Sequence, residues 1–140
     1  MKKIVEASDG RVRLVLRYAP FHQGADEIVR ALEASRRQGK YWETLELVYE
    51  KQREWADHHH PRPEAMWQYF PSLGLDAEKL RRDMRSPEVE AVLRQDMADA
   101  EALGVRKTPT FIVNGRPLLR FSLSELQTLV RDTVVEVYGR

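Results

Sequence analysis

Side chains able to make or break bonds are scarce in this chain. Its 140 residues include no cysteine, which excludes disulfides, Cys-ligated metals and thiol catalysis within it. Imidazole comes next, in the run His58-His59-His60 and at His22. It is a common metal ligand, but consecutive residues point in different directions and no carboxylate–His spacing supports a closed site. The run reads as a solvated loop and His22 as a surface histidine, so no metal ligand, cofactor or catalytic residue is assigned. Trp42, Trp55 and Trp67, with Tyr41 and Tyr49, could line a ligand site, but at helical spacing they read as core. What remains is Thr108-Pro109-Thr110, running into Phe111-Ile112-Val113 and then Asn114-Gly115. A cis bond before proline costs only ~0.5–1 kcal/mol more than trans, so a packed fold can hold one there.

The elements that must carry this segment are those of one soluble globular domain, residues 1–140. A chain of this length buries roughly two-thirds of its unfolded surface. Apolar residues make up 42% and charged residues 32%, a composition suited to a packed core. Lys+Arg 23 against Asp+Glu 22 leaves almost no net charge, so composition gives no argument for a nucleic-acid partner. No apolar run approaches the ~18 residues of a membrane span. The start, Met1-Lys2-Lys3-Ile4-Val5-Glu6, lacks the apolar stretch of a secretory signal.

Residues 1–7 read as the tail of a helix, ended by Ser8-Asp9-Gly10. Residues 12–18 mix β-branched and aromatic positions with Arg and read as a strand closed by Ala19-Pro20. Helices are expected over 26–38, stopped by Gly39, over 41–55, and more briefly over 64–73. Asp76 caps another. Ser86-Pro87-Glu88 opens a further one, by a cap, a proline in the first position and an acid against the dipole. That helix is expected to turn Val89, Val92, Leu93, Met97, Ala100 and Leu103 inward. Phe111-Ile112-Val113 then forms a strand, Asn114-Gly115 a type I′ turn, and 116–119 returns, with Pro117 marking an edge. Ser122-Leu123-Ser124-Glu125 is a capping box that opens the last helix. A strand separated from a hairpin by a helical block is an α/β or α+β pattern.

This order resembles the DsbA-like thiol:disulfide oxidoreductases after their active-site helix. Gly39-Lys40-Tyr41-Trp42-Glu43 is similar to that family's "QGKFWE" step. Residues 104–115 are similar to its "GVxGTPTFxVNG" segment. The resemblance covers nearly the whole chain and implies a thioredoxin-like fold with a helical insertion at about residues 24–103. It implies a cis Thr108–Pro109 bond, and a substrate-binding role for Lys107, Thr108 and Pro109 toward extended polypeptides that carry cysteines. It also implies action in a periplasm for the intact protein. The family's first strand and the Cys-x-x-C front of its helix have no counterpart, so the chain reads as N-terminally truncated and inactive in redox chemistry by itself.

Two other readings keep the fold. One is a glutathione-dependent transferase or isomerase of the kappa-class type, with Ser at the helix start; its cis-proline segment usually reads Val-Pro-Thr, so Thr108 favours the oxidoreductase. The other is a non-catalytic peptide-binding module. On the first reading, strands beside the missing one expose open edges, and a homo-oligomer through those edges is expected.

Overall fold

The computed structural model describes residues 1–57 and 60–139. They fall into two compact units, a helical unit, Tyr18–Gly104, and a unit made of Met1–Arg17 with Val105–Arg140. Of the histidine run, His58 and His59 lie outside the described residues, while the His60 N–H donates to Asp57 at 3.0 Å.

In the helical unit, α2 (Ala25–Arg36) presents Ile28, Ala31 and Leu32 to the core. It meets α3 (Tyr41–Glu50) and α6 (Pro87–Ala102). The expected helix over 41–55 is broken: α3 ends at Glu50, and α4 is the short Gln52–Trp55. The Trp55 indole N–H donates to the Val48 carbonyl at 2.9 Å, taking the acceptor that a continuous helix would offer to Gln52. Residues 64–73 are not α-helical either. They form two 3-10 helices, Pro63–Gln68 and Phe70–Leu73, because Pro71 has no N–H to donate and its ring crowds the carbonyl four residues back. Between these turns and α5 (Ala77–Asp83), Met66, Phe70 and Leu80 are fully buried. Burying one such side chain contributes about 1.5–3 kcal/mol. Both expected caps form: Asp76 accepts the Lys79 N–H at 2.9 Å and Ser86 the Val89 N–H at 3.3 Å.

Helix α6 turns a narrower face inward than the sequence implies. Val89 and Leu93 are buried, but Met97 is 55% and Leu103 64% exposed. The inward position one turn after Leu93 belongs to Asp96, which is buried and accepts the Tyr18 N–H at 2.8 Å. Nearby, the Tyr18 hydroxyl donates to Glu33 at 2.5 Å and lies 2.9 Å from the Tyr41 hydroxyl. Arg36 closes this group, bonding Glu33 at 2.9 Å and covering the Tyr41 ring at 3.8 Å. Burial first, and then the Glu33 hydrogen bond, push the Tyr18 phenol far above its ordinary range.

The second unit holds α1 (Lys2–Glu6), a hairpin of β1 (Ile112–Val113) and β2 (Arg116–Pro117), and α7 (Leu123–Tyr138). The strands pair antiparallel, Ile112 opposite Pro117 and Val113 opposite Arg116. Asn114 and Gly115 take φ of +47° and +81°, the left-handed pair that a two-residue hairpin turn requires. The Leu118 N–H donates to the Phe111 carbonyl at 2.8 Å. In an antiparallel ladder, hydrogen-bonded and non-bonded pairs alternate, so Ile112 and Pro117 form a non-bonded pair whose backbone groups face the two outer edges. Pro117 therefore loses no ladder bond and blunts its own edge. Ile112 leaves an N–H and a C=O facing outward from the other. Ser122 caps α7 by accepting the Glu125 N–H at 3.1 Å, and Phe121 stacks on Phe111 at 5.3 Å.

Residues 12–18 are not a strand. Among the described residues the only sheet is the hairpin; residues 12–17 take part in no ladder, and the Tyr18 N–H goes to a carboxylate instead.

Candidate functional site

The loop between α6 and β1 holds the three residues singled out from the sequence, Lys107, Thr108 and Pro109. Gly104, with φ of +66°, ends the helical stretch, a conformation that suits glycine because it has no Cβ. The chain then runs through Val105 and Arg106 to Lys107, and the Thr108–Pro109 peptide is cis. The Thr110 hydroxyl donates back to the Lys107 carbonyl at 2.6 Å, a local side-chain bond of the kind that replaces secondary structure in tight turns. Residues 106–110 are all exposed.

No thiol, imidazole or carboxylate lies in residues 105–110. The segment can present backbone groups, an apolar ring and positive charge, which is the chemistry of binding. The side chains of Arg106 and Lys107 form no ion pair or hydrogen bond among the described residues. Other cations of the same unit are engaged: Arg116 pairs with Glu136 at 2.5 Å, Arg120 with Glu125 at 3.8 Å and, in α7, Arg131 with Asp132 at 3.1 Å. Arg106 does not stand out in the sequence. Its adjacency to Lys107 was the available signal, but which cations find carboxylates is settled only by the fold.

Elsewhere the titratable clusters are internally satisfied. A shallow groove of the helical unit includes Asp26, Arg30 and Glu90, and Arg30 is already bound to Glu90 at 2.7 Å. His22 is exposed. Among the described residues no group of three or more His, Asp or Glu is placed to hold a metal ion. Among them, too, no helix is long and apolar enough to cross a membrane.

An exposed cis-proline loop feeding a β-hairpin, followed by a capped helix and preceded by a helical block, defines a thioredoxin-like domain. Comparison with known proteins agrees. A family model described as thioredoxin matches residues 1–132, and the chain belongs to that family. The crystal structure of a thioredoxin-like oxidoreductase from Silicibacter pomeroyi DSS-3 superposes with a TM-score of 0.73 at 33% identity, over 99% of this chain and 75% of that one. Among curated proteins, similarity is found to the Na(+)/H(+) antiporter NhaA of Herminiimonas arsenicoxydans, 37% identical over 107 residues. NhaA 1 of Mycolicibacterium vanbaalenii is 36% identical over 98 residues. These alignments cover 76% and 67% of this chain but only 16% and 15% of the antiporters.

Proposed function

We propose that this chain is the docking and scaffold portion of a DsbA-like thiol:disulfide oxidoreductase, and that it exchanges no disulfides by itself. On this reading it holds an extended, cysteine-bearing polypeptide against the backbone of Thr108 beside Pro109, with Lys107 at the rim. The helical unit is read as an insertion, about residues 24–103, into a single thioredoxin-fold domain; in chain order it interrupts the other unit. The compartment of action would be an oxidising one such as a periplasm, where disulfides persist. Ion transport is not carried over from the antiporters, of which this chain matches less than a fifth.

One observation carries the reading: a chain matching the thioredoxin family over residues 1–132 has zero cysteines. Disulfide exchange begins with a thiolate attacking a disulfide sulfur. The nucleophile is the thiolate rather than the thiol, and a Ser or Thr hydroxyl cannot form the mixed disulfide that follows. What is left of the family's chemistry is the surface that positions the substrate, by strand-like main-chain pairing. The test is reduction of insulin by dithiothreitol with and without the chain. The expected rate equals that of a control protein without cysteine; turnover above that control would overturn the reading.

A further inference from the structure

The two units differ in charge in a way that the near-neutral total conceals. The unit made of Met1–Arg17 and Val105–Arg140 carries eleven Lys and Arg against five Asp and Glu. The helical unit Tyr18–Gly104 carries twelve against seventeen. Within the basic unit the charge is not spent evenly. Arg116, Arg120 and Arg131 each have a carboxylate within 4.0 Å, and Arg11 has Asp9 at 3.8 Å. Arg106 and Lys107 have none among the described residues, and the same holds for Lys3 and Arg13. Two adjacent unpaired cations thus sit immediately before Thr108–Pro109, in a stretch that is exposed throughout. Farther along the same unit, Ile112 is 41%, Leu119 90% and Phe121 60% exposed, and Phe121 stacks on Phe111.

We infer that Arg106 and Lys107 are specificity-determining residues, and that the extended polypeptide docked at this loop is one with acidic residues beside an apolar strand. The inference rests on the docking reading above and adds the substrate class. Charge complementarity is the reason for this occupant. Holding two unpaired cations side by side is unfavourable, and a carboxylate arriving on the docked chain relieves it. The apolar centre of the same chain covers Phe121 and Leu119. Ion pairs at exposed sites are weak, so their effect is on selection and on the rate of encounter.

The test is fluorescence anisotropy of the chain with three labelled peptides of one length and one apolar centre, flanked by Asp, by Ser or by Lys. At low salt the Asp-flanked peptide is expected to bind roughly tenfold more tightly than the Lys-flanked one. The preference should vanish near 1 M salt, where the screening length falls to about 3 Å. The double variant R106E/K107E, altered at two exposed positions, should invert the order. R131E, at a cation already paired, should leave it alone. Equal binding of all three peptides overturns this inference while the docking reading stands. Binding of none of them removes the docking reading and the inference with it. Binding to phosphatidylglycerol vesicles in place of the peptides, abolished by the double variant, overturns the inference by making the basic loop a lipid site.

Discussion

The helical unit and the hairpin unit are built from equally clear local signals and end up unequally packed. Ser86 caps α6 and Ser122 caps α7 in the same manner. Yet of the sixteen buried apolar side chains among the described residues, only Leu126 and Val130 belong to the hairpin unit. Val15, Leu119, Phe121, Leu123 and Val137 of that unit are each more than half exposed. A two-stranded hairpin is marginal unless further strands or a helix cover it, and here one strand edge is blunted by Pro117 while the other, at Ile112, is not. Good caps place helices; they do not supply a core. The unit that carries the cis-proline loop is thus the one with more of its large apolar side chains exposed.

The largest effect expected separates the two units directly. Phe70→Ala should cost ~3–5 kcal/mol, because it empties a site in a closed core. Phe121→Ala, at an exposed ring stacked on one neighbour, should cost no more than about 1 kcal/mol. Urea denaturation followed by tryptophan fluorescence reads both, and since Trp42, Trp55 and Trp67 all lie in the helical unit, circular dichroism should be recorded in parallel. Equal losses would erase the contrast. Next comes Asp96→Ala, which removes a buried carboxylate and takes the charged acceptor from the part-buried Tyr18 N–H, and should cost about 1.5–3 kcal/mol.

Self-association comes third. If Ile112 offers an open edge, light scattering at micromolar concentration should give a mass above that of the monomer. A lysine on the edge strand, Ile112→Lys, should then reduce it, as charges on edges do in natural sheets. A wild-type monomer would show that the edge is not used in this way. The smallest effect is expected only in alkali. Tyr18 has a raised folded-state pKa, from burial and then from the Glu33 hydrogen bond. The stability from this shift is fully present below the unfolded tyrosine value of about 10 and is lost progressively as pH rises above it. The urea midpoint should therefore fall as pH rises from about 10 to about 12, and Tyr18→Phe should shrink that fall. An unchanged slope in the variant would assign the alkaline loss elsewhere.

Where a feature depends on neighbours in sequence, it was legible. The caps at Asp76, Ser86 and Ser122 and the Asn114-Gly115 turn need only a few consecutive residues, and each forms as its residues imply. What depends on distant partners was not. Residues 12–18 have strand composition, but a strand exists only beside another. The break after α3 follows from the Trp55 indole reaching Val48, and the narrow inward face of α6 from Asp96 meeting Tyr18 across the unit. The loop of Lys107, Thr108 and Pro109 could be placed between a helix and a hairpin from its flanks. Arg106 could not be picked out, because its distinction is the lack of a carboxylate that other arginines have.

The most direct test of the central claim, that the cis-proline loop docks extended chains without sulfur chemistry, is a titration of the isotopically labelled protein followed by amide chemical shifts. With an extended Asp-flanked peptide, shifts are expected over residues 105–113, with the helical core around Phe70 and Leu80 unchanged. Shifts confined to the helical unit, or none at saturating peptide, would contradict the claim.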